Sequence, residues 1–163
     1  MLKIVSYPAS VLAAVGEPVE KFDEKLAALA AEMFETMYAA KGVGLAAPQV
    51  GLSLRFFVMN CEGTRIVAAN PEIISAEGEQ EGDEACLSLG SIGTPLKRAS
   101  TVVLRAQDLK GEWFETTGTG LTARCLQHET DHCDGHLFID HLSPLRRDML
   151  KRKFRKMIKH EKS

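Results

Sequence analysis

The sequence predicts an α+β fold in which short antiparallel strands pack around a central helix, with a further helix at the C-terminus. Short apolar runs separated by glycine-containing turns fill the middle of the chain, a pattern typical of antiparallel strands. A helical pattern follows over residues 121–134 and contains two histidines four residues apart. A last amphipathic stretch begins at Ser143-Pro144, where the serine can cap a helix and the proline suits its first turn.

Length and composition predict one globular domain over residues 1–163. Hydrophobic residues make up 45% of the chain and the net charge is −2, which excludes a strong overall bias toward nucleic acid. No signal-peptide pattern opens the chain, and no stretch approaches the roughly 20 apolar residues of a membrane span. The four cysteines form no C-x-x-C pair. We therefore expect free thiols in a reducing compartment, a cytoplasmic location and no membrane partner.

The first third of the chain predicts an arm, a helix, a loop and a strand. Residues 1–22 read as an extended arm with turns at its prolines and glycine. Asp23 can cap a helix with one apolar stripe, and Gly42 ends that helix near residue 40. The glycine-rich segment 42–51 predicts an irregular loop, either a plain connection or one whose N–H groups and side-chain amide face a ligand carbonyl. A strand is expected over residues 54–60.

The middle of the chain predicts three more strands before the central helix. They are expected near residues 64–69, 101–106 and 112–117, and a tight Lys-Gly turn joins the last two. The acidic run 75–84 is interpreted as a solvated connection. Gly135 closes the central helix.

The last helix carries a concentrated positive charge. Residues 144–163 contain nine Lys/Arg and two acids, a balance of +7, so the rest of the chain carries −9. One interpretation is a packed amphipathic helix with a solvated basic face. The other is an electrostatic docking surface for an anionic partner.

The central helix contains H-E-x-x-H. His128 and His132 are four residues apart and project from one helix face, so both imidazoles can reach one metal ion. Glu129 lies about 100° round the helix, close enough to that face to act as a base. This recipe is typical of metal-assisted hydrolysis, and it makes the central helix the metal-binding helix of the predicted fold.

A third ligand is expected, because catalytic metals usually take three protein ligands. The residues downstream of the motif are poor candidates. Phe138 stands where one peptidase pattern places its third histidine, and Glu161 lies in the basic tail. A stripe that also included His136 would span about 12 Å, too long for one ion. His141 is a further weak candidate.

The third ligand is therefore expected upstream, among the cysteines. Cys86 leads, because small or flexible residues surround it at the edge of a strand-like segment. Cys61 and Cys125 are expected to pack in the core, and Cys133 points away from the ligand face. A Cys-His-His set suits Zn²⁺ or Fe²⁺, and the residues alone do not choose between them.

Three separated blocks resemble the signature motifs of the peptide deformylase family. The segment G-V-G-L-A-A-P-Q over residues 42–49 matches G-x-G-L-A-A-x-Q. The segment E-A-C-L-S over residues 84–88 resembles E-G-C-x-S. The segment Q-H-E-T-D-H over residues 127–132 matches Q-H-E-x-D-H. Their order and spacing also fit, and the resemblance extends over essentially the whole chain.

The resemblance implies removal of the formyl group from the N-formylmethionine of new polypeptides, with release of formate. It implies Fe²⁺ as the metal, with Zn²⁺ or another divalent ion as an alternative. Nascent N-formylated polypeptides are the implied partners, and the ribosome is an expected partner of the basic C-terminal helix. The residues carried over have these roles: metal ligands Cys86, His128 and His132; general acid/base Glu129; oxyanion donors Gln49 (amide) and Leu87 (backbone N–H); substrate-binding backbone Gly44.

Several positions depart from the family pattern. Ala85 replaces a glycine, which would strain the backbone by about 1–2 kcal/mol only if that position needs positive φ. Gly90 stands where a proline is common, Gly93 where a basic residue is common, and Cys133 where a leucine is usual. Ala13 stands where an arginine is frequent. These changes bear on efficiency and substrate preference more than on reaction type.

Glu84 is expected to pair with Arg98, or else to form an ordinary surface pair.

Two other functions compete with deformylation. The first rival is a zinc peptidase, and the missing downstream ligand counts against it. The second is a weak or inactive metal-stabilised peptide-binding module of the same fold. Retention of Glu129 and Gln49 counts against that module, because binding alone needs neither residue.

Overall fold

The computed structural model describes residues 1–90 and 92–161, with side chains through residue 159. Three predictions therefore involve residues or side chains outside the described part: the domain over 1–163, the charge balance of 144–163 and the position of the Glu161 side chain. The single domain stays a prediction. The helices are α1 (Glu24–Ala39), α2 (Gly120–Cys133) and α3 (Pro144–Glu161). The strands are β1 (Gly44–Ala46), β2 (Phe56–Cys61), β3 (Thr64–Glu77), β4 (Gln80–Ala85), β5 (Gly93–Arg98), β6 (Thr101–Gln107) and β7 (Trp113–Thr119).

The strands form two antiparallel sheets, which confirms the predicted α+β class. The larger sheet has the order β1-β2-β3-β6-β7, and the smaller one pairs β4 with β5. All strand pairs are antiparallel. The β2–β3 hairpin turns at Glu62 and Gly63, whose φ angles of 50° and 83° suit a two-residue turn.

The ends of α1 follow from its sequence. The Asp23 side chain accepts a hydrogen bond from the Leu26 N–H at 3.1 Å and caps the first turn, as predicted. At the other end Lys41, rather than Gly42, takes the left-handed conformation with φ of 58°. The Gly42 N–H then bonds back to the Met37 carbonyl at 2.9 Å and satisfies one of the last orphan carbonyls.

Two predicted connections are wrong. Segment 42–51 is not a plain irregular loop: it contains β1 and a 3-10 turn over Ala47–Val50. Segment 75–84 is not a solvated connection, because it forms the end of β3 and most of β4. Strand alternation points Glu84 inward, and no apolar residue lies on the inner face of β4. The alternation of apolar and polar residues that usually predicts a strand is therefore missing. The partner strand β5 was missed too.

Helix α2 lies at the centre of the molecule. Its Ala123 and Leu126 pack against one face of the large sheet, where Phe57 and Met59 of β2 also lie. The other face of β2 packs against α1, so β2 is buried on both sides. Helix α3 closes a third apolar cluster that includes Phe154. Within residues 1–90 and 92–161, no helix combines the length and apolarity that crossing a bilayer requires.

Candidate metal centre and active site

Three side chains converge as a group that could hold a metal ion. The ligand atoms of Cys86, His128 and His132 all lie within 4.8 Å of one another, and all three residues are buried. The Cys86 Sγ atom is 3.4 Å from His132 Nε2. The cysteine selected from the sequence therefore lies beside both histidines. A thiolate with two imidazoles is a donor set that fits Zn²⁺ or Fe²⁺.

Local structure explains why these residues meet. His128 and His132 are one helical turn apart on α2 and face the same side, with ring centroids 4.9 Å apart. Cys86 follows directly after β4, at the start of a 3-10 turn over Leu87–Leu89. The small sheet therefore positions the thiol, and the central helix positions the two imidazoles.

Glu84 orients the first histidine. Its Oε2 atom lies 2.8 Å from His128 Nδ1. Hydrogen bonds from His128 and Arg98 outweigh the burial that would raise the pKa of Glu84, and hold that pKa well below its usual range. Glu84 is therefore an ionised acceptor, so His128 donates through Nδ1–H and Nε2 is left for a metal.

Protonation of the two histidines differs in the absence of a metal. Burial acts to lower the pKa of His128, but the charges and hydrogen bonds of Glu129, Cys86 and Glu84 outweigh it and hold the pKa well above its usual range. Burial, helped by the neighbouring His128 charge, lowers the pKa of His132 well below its usual range. A metal cation would replace the proton of His128, because ligand imidazoles bind metal in the neutral form.

An ion network surrounds Glu84, and we define it as Glu84, Arg98, Arg124, Asp131 and His141. Arg98 grips Glu84 with two bonds of 2.6 and 3.1 Å, which confirms the predicted pair. Arg124 Nη1 donates to the same carboxylate at 3.1 Å. Asp131 accepts from Arg98 Nη1 at 2.7 Å and lies 2.8 Å from His141 Nε2. Two buried guanidinium groups therefore meet at Glu84, and one of them, Arg98, also holds Asp131.

Glu129 is buried and carries an unused acceptor. In the part of the chain that the structure describes, its Oε1 atom has no hydrogen-bond partner. Burial raises the pKa of Glu129 to about 7. A Cβ atom at position 44 would collide with the Glu129 carboxylate, 2.8 Å from its Cδ, so Gly44 leaves the space this side chain occupies. A buried acid with such a pKa can both take and return a proton near neutral pH.

Gln49 is held with its amide N–H groups toward the thiol. Its Oε1 atom accepts from the Ala46 N–H at 3.0 Å, which fixes the orientation of the amide. The Nε2 atom then lies 3.4 Å from both Cys86 Sγ and Ser88 Oγ. The contact with the Ser88 oxygen is long for an N–H···O bond, so a stronger acceptor can take its place. Leu87 opens the adjoining 3-10 turn, and the first N–H groups of such a turn have no partner within it.

These residues line a cleft of about 300 Å³ between the first motif, the Cys86 turn and α2. Its mouth carries the exposed apolar side chains of Val43 and Leu121. Cys125 also lines the cleft, with its sulfur 3.9 Å from the Val43 carbonyl. The shape and lining suit an extended chain whose apolar side chain enters the cleft.

The remaining sequence candidates lie elsewhere. His136 is near Asp140, and His141 joins the ion network, so neither belongs to the ligand group. Cys61 and Cys125 belong to the core cluster that packs around α2, as expected, although Cys125 also lines the cleft. Cys133 is buried in the same cluster.

The departures from the family pattern cause no backbone strain at the thiol. Ala85 ends β4 opposite Gly93, in an extended conformation that alanine accepts. Gly90 adopts φ of 65° and faces Phe154 and Met157 of α3, where its missing side chain leaves room for the helix. The Ala85 strain considered from sequence therefore does not arise.

Sequence reasoning missed three residues near the site, Ser88, Arg124 and Asp131, and considered His141 only as a weak ligand candidate. Arg124 carried a usable signal, because it lies four residues before His128 and so on the same face of α2. Asp131 stands inside the third motif but received no role. The contact of His141 with Asp131 had no sequence signal, since only the fold brings the two side chains together.

Comparison with known proteins agrees with this geometry. The family model described as polypeptide deformylase matches residues 1–148. A peptide deformylase of Acidobacterium capsulatum is 51% identical over 159 residues, which cover 94% of either chain. The crystal structure of a peptide deformylase from Legionella pneumophila is similar with a TM-score of 0.93 and 48% identity, covering 99% of this chain and 97% of the other. That of the peptide deformylase from Thermus thermophilus has a TM-score of 0.90 and 40% identity, covering 96% and 94%. The chain belongs to the polypeptide deformylase family.

Proposed function

We propose that this chain hydrolyses the N-formyl group of N-formylmethionine on newly made polypeptides and releases formate. The observation that carries the proposal is the buried Glu129 carboxylate beside the Cys86, His128 and His132 group, whose Oε1 atom has no hydrogen-bond partner among the described residues. An inactive binding module would have no use for a buried acid with an empty acceptor, because leaving such a group unpaired costs about 1–3 kcal/mol. No observation favours that alternative or the zinc peptidase.

The metal site would consist of Cys86, His128 and His132. Bound there, a divalent ion polarises the formyl carbonyl and lowers the pKa of a water molecule to about 7. We propose Fe²⁺, with Zn²⁺ or another divalent ion as the alternative. Metal content measured after anaerobic purification, compared with activity after reloading with each ion, decides the identity.

Glu129 is proposed as the general acid/base. Its pKa of about 7 suits removal of a proton from the attacking water and return of that proton to the departing amine. Gly44 supports this role because its lack of a side chain leaves the carboxylate in place. The backbone of Gly44 in β1 lines the cleft, which also suits it to bind the peptide.

The Gln49 amide and the Leu87 N–H are proposed as the oxyanion donors. Gln49 is held by the Ala46 N–H, so its orientation is set before substrate arrives. We expect Gln49→Leu to lower kcat about 10²- to 10³-fold with the metal retained. The assay is formate release from a formyl-Met peptide, with the acetyl-Met peptide as control substrate. Absence of formate from metal-loaded wild-type protein would overturn the proposed function.

We further propose that the basic face of α3 docks on ribosomal RNA. A groove of about 400 Å³ beside β5 is lined by the cations Arg146, Arg152, Lys153 and Lys156. Exposed Met149 adds an apolar contact. Electrostatic docking of this kind weakens steeply with salt.

Charge substitution tests this docking better than truncation, because Phe154 of α3 is part of the core. The triple variant Arg152→Glu, Lys153→Glu, Lys156→Glu is expected to lose co-sedimentation with ribosomes at low salt while retaining formate release. Binding equal to wild type would remove the idea. The cytoplasmic location stays a prediction.

A further inference from the structure

A line of charged contacts joins the molecular surface to a ligand histidine. His141 Nε2 lies 2.8 Å from Asp131 Oδ2, and Asp131 accepts from Arg98 Nη1 at 2.7 Å. The opposite edge of the Arg98 guanidinium holds Glu84 through Nε and Nη2. Glu84 Oε2 is 2.8 Å from His128 Nδ1. Four short contacts therefore connect the His141 ring to the imidazole proposed to bind metal.

The direction of the outermost bond follows from the charge of its acceptor. Hydrogen bonds from His141 and Arg98 outweigh burial and lower the pKa of Asp131, so Asp131 is a carboxylate and can only accept. His141 therefore donates its Nε2–H. It shares the Oδ2 atom with Arg98 Nη1, which is 3.3 Å from the His141 nitrogen. Two donors thus hold one oxygen atom.

Loss of one donor would free that oxygen to move. The Asp131 side chain is 19% exposed, so a water molecule could replace the lost hydrogen bond. Such a water would not hold the carboxylate in one position. The Arg98 guanidinium would then lose its fixed anchor on the Asp131 side. Its bidentate grip on Glu84 would loosen, and with it the orientation of the His128 ring.

The chain contains a matched histidine outside this line. His136 is also an exposed histidine near an aspartate, with 59% side-chain exposure against 43% for His141. Its Nδ1 atom is 3.7 Å from Asp140 Oδ2, beyond hydrogen-bond distance. Asp140 is used instead by the Leu137 N–H at 2.9 Å. His136 is therefore a control for charge and exposure without a link to Glu84.

We propose that His141 is a positioning residue for the metal site, acting on His128 through Asp131, Arg98 and Glu84. The inference rests on the proposed metal group. Glutamine can replace histidine in this role, because Gln Nε2 is as many bonds from Cβ as His Nε2 and also donates. Leucine removes the donor and keeps a similar bulk.

The experiment loads wild-type, His141→Leu, His141→Gln and His136→Leu proteins with Co²⁺ and follows metal loss to a chelator. Removal of a direct partner of a ligand typically weakens metal binding 10- to 100-fold, and His141 lies further out. We therefore expect His141→Leu to lose Co²⁺ about 3- to 10-fold faster, with a shifted thiolate-to-cobalt absorption band. His141→Gln and His136→Leu should match wild type.

Equal loss rates for His141→Leu and His136→Leu would overturn the proposal, and so would a His141→Gln protein as fast as His141→Leu. A second arm uses Asp131→Asn as the background. There, adding His141→Leu should change the rate less than twofold, because the line is already broken; a full additive effect would contradict it. Failure of wild-type protein to bind Co²⁺ at all would instead overturn the metal assignment.

Discussion

Glu84→Gln is the substitution that the ion network makes most informative. The Glu84 carboxylate accepts from Arg98, Arg124 and His128 at once, with four contacts between 2.6 and 3.1 Å. Its side chain is 4% exposed, so water cannot replace the lost charge. Glutamine keeps the shape but turns one acceptor oxygen into a donor that faces other donors.

The magnitude follows from leaving two guanidinium groups poorly compensated. Breaking a buried ion pair by removing one partner typically costs about 3–5 kcal/mol of folding free energy. The Arg55–Asp134 pair is a matched control, since its 2.7 Å bond is as short but Asp134 is 46% exposed. Asp134→Asn should therefore cost at most about 1 kcal/mol.

The assay is urea unfolding of the metal-free proteins, with Co²⁺ affinity measured in parallel. We expect Glu84→Gln to lower the free energy of unfolding by about 3–5 kcal/mol and the metal affinity about 10- to 100-fold. A loss below about 1 kcal/mol with unchanged metal affinity would refute the reasoning, because Glu84 would then resemble the exposed pair.

Two further predictions concern Glu129. Gly44→Ala should lower kcat about 100-fold with metal retained, because its Cβ displaces the Glu129 carboxylate. Gly42→Ala should be mild, since the atom nearest to its Cβ is the flexible Cδ1 end of Leu87, at 2.8 Å. Equal kcat losses would contradict this account. In metal-free protein, the Glu129 pKa of about 7 lies above its ordinary 4.5, so stability should fall by about 3 kcal/mol as pH rises between these values. Urea titrations across that range should show the decline in wild type and a flatter curve in Glu129→Gln.

The sequence predicted the parts of the fold that hydrophobic periodicity marks. Helix α1 with its Asp23 cap, the strands β6 and β7, and the start of α3 after Ser143 were predicted, because apolar stripes and caps are local signals. Strand β4 was not predicted, because it lacks such an apolar pattern. Its inward residue Glu84 is an acid, and only its partners on other elements permit an acid in that place.

The residues of the site likewise fall into those predictable from local sequence and those that only the fold brings together. His128, Glu129 and His132 lie on one helix, so their proximity follows from spacing alone. Cys86 needed an argument about ligand number and a resemblance between motifs. The Gly44–Glu129 contact joins residues far apart in sequence, and the His141–Asp131 contact joins α2 to the 3-10 turn that follows it. Only the packed structure reveals such contacts.

The most direct test of the account compares wild-type protein with Glu129→Ala, both purified without oxygen and loaded with Fe²⁺ or Zn²⁺. Formate released from a formyl-Met peptide and metal bound per chain are measured on the same samples. We predict one metal per chain in both proteins, formate from wild type, and turnover at least about 100-fold lower in Glu129→Ala. Undiminished turnover by Glu129→Ala, or no formate from metal-loaded wild type, would contradict the account.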